Sequence, residues 1–168
     1  FRSIFIVQSF LVQGQSMEQT LTDGQRLFVD KLTYRFRDPQ RGEIVVFKYP
    51  SNPSRKFIKR VIGIPGDVVA IRDNVLYLNG VPLEEDYIIG PTRGMYGAPT
   101  FGPQTVPEGC YFVLGDNRTN SDDSRYPDVG MVKRELIVGR AIISYWPPSR
   151  LGLIRIPEIF KEMEEKQQ

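Results

Sequence analysis

The chain has 168 residues, 40% of them hydrophobic and 25% charged, enough apolar material for one folded domain with a real core. Its formal net charge of +2 is too small to argue for nucleic acid, although it is compatible with weak attraction to an anionic lipid surface. There is no histidine and one cysteine, Cys110, so an internal disulfide and a Cys/His metal site are both excluded, and no calcium-loop spacing takes their place.

The chain opens without an initiator Met, on Phe1-Arg2-Ser3-Ile4-Phe5-Ile6-Val7, which reads as a cut inside a longer protein. No run of about 18 apolar residues follows, so no complete transmembrane helix is expected within it. Short β-branched or aromatic runs come next: Phe10-Leu11-Val12, Leu27-Phe28-Val29, Ile44-Val45-Val46-Phe47, Phe57-Ile58, Val61-Ile62 and Val68-Val69-Ala70-Ile71. Each is bounded by Gly, Pro, Asn or Asp and reads as a strand. Val75-Leu76-Tyr77-Leu78 ends on Asn79-Gly80, a pair that takes the positive φ angles of a tight hairpin turn. Residues 91–107, rich in Gly, Pro and Thr, read as a long loop or irregular excursion.

Cys110 stands before Tyr111-Phe112-Val113-Leu114 and reads as a small side chain at a strand start rather than a reactive thiol. Residues 133–136 suggest a turn and 137–146 a last strand. Pro157 can open a short helix, with Ile159, Phe160 and Met163 on one face; a frayed end and a docked helix both fit. The fold class is therefore mostly β, built of antiparallel sheets with few short helices. The expected organisation is one β-rich catalytic domain over 1–153, with a small accessory excursion at about 72–110, and a charged tail over 154–168.

Certain segments carry chemistry. Ser16 lies in Gln15-Ser16-Met17, after an extended apolar approach. A serine nucleophile normally hands its proton to histidine; with none present, lysine is the obvious base. Lys59 stands out by its neighbours. In a strand of period two it shares a face with Phe57 and Val61. Burial there disfavours the charged amine and lowers its pKa, and a neutral lysine can accept the serine proton. The alternative is a lysine that snorkels to water.

These residues, with 41–50, 57–67 and 115–125 in that order, resemble the bacterial type I signal peptidases, membrane-bound serine/lysine endopeptidases, in their compact Gram-positive-like form. The resemblance runs from about residue 10 to 153. It implies the signal-peptidase-like catalytic fold, with Ser16 as nucleophile and Lys59 as general base. Ser121 would hydrogen-bond the lysine amine, while Asp123 and Arg125 would pair and hold the last segment against the Lys59 strand, with Arg60 nearby. The Ser16 N–H would be the first oxyanion donor. Some relatives add a serine hydroxyl two residues earlier, where this chain has Gly14. A second departure is Gln19, where the family usually shows proline.

The resemblance also implies a substrate: signal peptides of secretory preproteins, cut after small residues in an A-x-A-like pattern. The peptide would bind extended, against shallow pockets drawn from Phe10, Val12, Met17, Leu21, Phe57 and Ile58. No cofactor, metal or nucleic acid is implied. The catalytic domain would sit on the extracytoplasmic face of the cytoplasmic membrane, with its anchor before Phe1, and exposed residues near Phe5, Phe10 or Trp146 would dip into lipid. Two other readings stand beside this one. One is an inactive peptide-binding scaffold of the same fold, motivated by Gly14 and Gln19. The other is a self-cleaving Ser/Lys repressor-type protease, which lacks support because the chain shows neither a helix-turn-helix nor a self-cleavage loop.

Overall fold

A computed structural model describes residues 6–92 and 100–166. The apolar runs become strands β1 (Val7–Leu11), β2 (Arg26–Asp30), β3 (Ile44–Lys48), β4 (Lys56–Gly63), β5 (Val68–Arg72), β6 (Val75–Leu78) and β7 (Val81–Pro82). β8 (Thr100–Thr105), β9 (Cys110–Leu114), β10 (Val132–Lys133), β11 (Ile137–Trp146) and β12 (Gly152–Leu153) follow, and helix α1 (Glu158–Lys166) comes last. The larger sheet runs β1-β2-β11-β3-β4-β9-β10, with β12 added beside β11; a smaller one runs β7-β6-β5-β8. Every strand pair in them is antiparallel, so the mostly β fold class holds.

The runs 57–58 and 61–62 are one strand of eight residues, not two. Charge at Lys59 and Arg60 does not interrupt it because each side chain finds a partner, Lys59 at Ser16 and Arg60 at buried Asp116. The Asn79-Gly80 turn forms as expected, with φ of 54° and 81°. Asn79 also ties the turn to the strand beside it: its Oδ1 accepts the Val68 N–H at 2.8 Å and its Nδ2 donates to Asp67 Oδ1 at 3.0 Å. Replacing Asn79 by Ala loses both bonds and leaves a β-carbon at positive φ. We expect it to lower the unfolding free energy by about 1–2 kcal/mol in urea titrations, with the fold retained.

The loop expected over 91–107 is corrected in its second half. Residues 100–105 form β8, paired with β5 from Val68↔Thr105 to Arg72↔Thr100. Composition hid it, because Gly102 and Pro103 read as loop residues. β8 lies at the sheet's edge, where proline costs no ladder bond. Residues 93–99 of that stretch lie outside the described residues.

One core cluster fills the space around the small sheet, with Ile62, Val69, Ile71, Leu76, Phe112 and Leu114 among its members. Phe160 of α1 is buried in it, and Ile159 and Met163 pack against it, so the helix is docked rather than frayed. A second cluster, including Val12, Met17, Leu21, Ile44, Val46 and Ile58, lies beneath the loop joining β1 and β2. Cys110 opens β9, half-buried. Among the described residues no helix is long and apolar enough to cross a membrane.

Candidate active site

The loop between β1 and β2 carries Ser16. Val12 N–H donates to Gln25 O at 2.8 Å, closing the loop at its base, and buried Met17 and Leu21 fasten its underside. Gly14 adopts φ of +90°, a conformation that side chains rarely take. Its N–H donates to Asp23 Oδ1 at 2.7 Å. Residues 115–117 hold the loop from the other side: Asn117 N–H donates to Ser16 O and Asn117 Nδ2 to Gln15 O, each at 2.9 Å.

β4 brings Lys59 to this loop. Lys59 Nζ lies 2.7 Å from Ser16 Oγ, and 5.3 Å from the Phe57 ring centroid. The residue is 4% exposed, so it does not snorkel. Burial lowers its pKa to about 8; Asp123 and Asp122 oppose the fall and Arg125 adds to it. At neutral pH a useful share of this amine is therefore neutral, as a base must be.

The third segment folds back on itself. Arg125 grips Asp123 through two hydrogen bonds of 2.8 Å, and the Asp123 side chain is fully buried. This is not a solvated surface pair. Asp123 Oδ2 also accepts Gly115 N–H at 3.0 Å and Ser121 Oγ at 2.8 Å. Among the described residues the Lys59 amine is bonded to Ser16 and the Ser121 hydroxyl donates to Asp123, which leaves the Ser121 oxygen able to accept. Ser121 nevertheless sits against the nucleophile's backbone. A β-carbon at Gly115 would lie 2.1 Å from Ser121 Oγ and 2.6 Å from Ser16 O, so only glycine allows that approach.

Arg60 is corrected. It does not join Asp123 and Arg125, because period two turns it to the opposite face of β4 from Lys59. There it donates to Asp116 Oδ1 at 3.0 Å, Asp116 Oδ2 at 2.7 Å and Gly42 O at 2.7 Å. Thr20 Oγ1 adds a bond of 2.6 Å to Asp116 Oδ2. Asp116 was missed from sequence, as was the buried pair of Arg118 and Glu85 at 2.7 Å. Asp116 and Arg118 lie in the polar run that follows β9, and Glu85 beside Glu84 and Asp86, so no strand alternation marks them for burial.

A cleft of about 660 Å³ opens over Ser16 and Lys59, walled by Phe10 and Leu11 on one side and Phe57 and Ile58 on the other. Of the expected pocket residues, Val12, Met17 and Leu21 are core residues under the loop and do not line it. Among the described residues both walls have free backbone edges. Val12 N–H bonds to Gln25 O and Lys31 N–H to Ile6 O, so in β1 the even-numbered residues face β2 and Ser9 and Leu11 face away. In β4, Tyr49 N–H to Arg55 O and Val61 N–H to Glu43 O turn Phe57 and Lys59 toward β3; Lys56 and Ile58 face the other way, and β9 covers β4 only from Arg60 onward.

Residues 1–146 match the family model described as signal peptidase, peptidase S26. The chain belongs to that signal peptidase family. It is a hydrolase, a signal peptidase I-like endopeptidase. It is 44% identical over 155 residues to a probable signal peptidase I-2 of Synechocystis sp., covering 89% of this chain and 68% of the relative. It is 39% identical to the signal peptidase I of Bacillus caldolyticus, covering 86% of this chain and 82% of the relative. A crystal structure of a signal peptidase I from Enterococcus faecalis aligns with a TM-score of 0.48 at 39% identity, over 62% of this chain and 97% of that one.

Proposed function

We propose that this signal peptidase cleaves preproteins by acyl transfer to Ser16, with Lys59 as general base. The observation that carries the reading is the 2.7 Å contact between Ser16 Oγ and an amine whose pKa burial has brought down to about 8. Neutral Lys59 takes the Oγ proton as Oγ attacks the scissile carbonyl carbon. The carbon–nitrogen bond then breaks, the leaving amine takes the proton from Lys59, and an ester to Ser16 remains. Water attacks that ester, giving a proton to Lys59; the ester carbon–oxygen bond breaks, Lys59 returns the proton to Ser16 Oγ, and the carboxyl product leaves.

The developing oxyanion meets the Ser16 N–H, which has no acceptor among the described residues. Gly14 N–H is engaged by Asp23 and does not serve. Ser121, Asp123 and Arg125 act as supports that fix the segment behind the dyad. The free edges at Ser9, Leu11, Lys56 and Ile58 suit an extended peptide adding as a strand in the cleft, with Phe10, Phe57 and Ile58 shaping shallow subsites for the small residues of an A-x-A signal. Trp146, 51% exposed, and the exposed Leu151 and Leu153 are the apolar surface we assign to the lipid face of the cytoplasmic membrane, on its extracytoplasmic side. Residues 1–153 form the catalytic domain in this reading.

The test is cleavage of a preprotein with an A-x-A site in detergent, with the cut mapped by mass spectrometry across a pH series. Because only neutral Lys59 accepts a proton, kcat/KM should rise through pH 8 and gain about 100-fold between pH 6 and pH 9. A profile flat above pH 6, or a cut away from the small residue, overturns the reading.

A further inference from the structure

The mechanism engages the cleft at Ser16 and Lys59 and gives no role to the cations that line it at the entry to β4. Arg55 and Lys56 both line this cleft, and both are exposed. Among the described residues neither forms an ion pair, and Asp122, the one acidic side chain lining the cleft, is bridged to neither. Arg55 is held in place without a carboxylate. Its guanidinium lies 5.4 Å from the Tyr49 ring centroid and 5.5 Å from that of Phe57, and the two rings stack at 4.4 Å. Cation–π contacts of this kind fix the group and leave its N–H donors available. Tyr49 gives its hydroxyl to Asp128, so that carboxylate is engaged at the ring's far end rather than at Arg55. Lys56 stands directly opposite Lys48 in the ladder between β3 and β4, and Lys48 is exposed as well. Like charges directly opposite one another destabilise a sheet. The β3–β4 hairpin thus gathers three cations with no bonded carboxylate among the described residues, and an anionic group entering the cleft relieves their repulsion.

The free edge of β4 fixes which part of a peptide comes here. It runs from Lys59 back to Lys56, because β9 covers β4 only from Arg60 onward. A strand laid along it advances about 3.3 Å per residue, in step with β4 itself. With the scissile carbonyl at Ser16, the residue just before the cut lies level with Lys59. Lys56 is three residues back along β4, so it is level with position −4, and Arg55 with position −5. An A-x-A signal occupies −3 to −1, which leaves −4 and −5 open to a further requirement.

We propose that Arg55 and Lys56 form a subsite for an acidic side chain, so that this peptidase favours preproteins with Asp or Glu four or five residues before the cut. The proposal rests on the reading that the residues before the cut lie in this cleft. Guanidinium and ammonium donors both suit a carboxylate, and Arg55 is already oriented by its rings, so little ordering is required when the substrate arrives. A single exposed ion pair contributes little. Exchanging Glu for Lys in the substrate, however, replaces attraction by repulsion against two cations, and the discrimination is correspondingly larger.

The test uses preproteins that share one A-x-A site and differ only in Glu, Gln or Lys at −4 or at −5, cleaved in neutral detergent. Wild type should favour Glu over Lys by about tenfold in kcat/KM at one of these positions at low salt, with Gln between them, and the ratio should fall toward one in about 1 M salt. In the double variant Arg55→Glu, Lys56→Glu the order should reverse. Each ratio compares two substrates on one preparation, so a change in the variant's overall activity or stability cancels. A wild-type ratio near one, or a preference that persists unchanged in the variant, overturns the proposal. If binding to phosphatidylglycerol vesicles falls in the variant while the substrate ratio stays the same, the cations serve lipid and the proposal is likewise overturned. Calorimetric binding of the corresponding peptides to Ser16→Ala reads the same selectivity as a Kd ratio, without cleavage. Selective binding there, with no turnover by the wild type, would sink the proteolytic reading and keep the subsite; turnover by the wild type with a ratio near one would do the reverse.

Discussion

Ser16→Ala and Lys59→Met each lower kcat/KM for preprotein cleavage by about 10⁴-fold or more, and the double variant loses little beyond either alone. Non-additivity is the sharper half of this expectation. A nucleophile and its base act as one unit: once the serine is gone the lysine has no proton to take, and the reverse holds as well. Methionine is the informative replacement at Lys59. It keeps the volume of a side chain that is 4% exposed, and it removes a buried amine that folding must desolvate. Thermal stability should therefore hold or rise while activity disappears, separating a chemical role from a packing one. Steady-state kinetics with calorimetry on the same preparations checks both. Retention of more than a tenth of wild-type activity in Lys59→Met would remove Lys59 from the mechanism, and a scaffold that only binds peptide would show no cleavage to lose.

Much of this site is legible in the sequence because its strands follow simple local rules. β3 and β4 are runs of β-branched and aromatic residues, and alternation alone puts Lys59 on a face with Phe57 and Val61. The same alternation already sends Arg60 the other way. What it cannot give is the group waiting there, since Asp116 is 56 residues distant in the chain and arrives only when β9 pairs with β4. β8 escaped for a different reason. Its Gly102 and Pro103 are loop-forming residues, and pairing with β5 across a long connection overrides that local preference. Ser121 shows the limit of carrying roles by position. The segment is recognisable, yet which of several nearby acceptors receives one hydroxyl proton is decided by the fold of Gly115 and Asp123 around it.

Asp116→Ala should cost about 3–5 kcal/mol of unfolding free energy, measured by urea titration, because it leaves the Arg60 guanidinium buried without its counter-charge. The pair is wholly enclosed, with side-chain exposures of 1% and 0%. Such pairs are seldom net stabilisers when compared with a hydrophobic replacement, so the combined variant Arg60→Met, Asp116→Leu should recover most of that loss. Catalysis should not recover with it. Asp116 also receives Thr20 Oγ1, from the loop that carries Ser16, while Arg60 is the residue next to Lys59 on β4. The ion pair therefore sets the spacing between the element that holds the nucleophile and the element that holds the base. A misplacement of about 1 Å there is expected to lower kcat about 10²-fold in the combined variant even when it is stably folded. Full activity in that variant would show that packing alone holds the 2.7 Å contact between Ser16 and Lys59. Lost activity with restored stability would assign the buried charges to geometry rather than to holding the fold together.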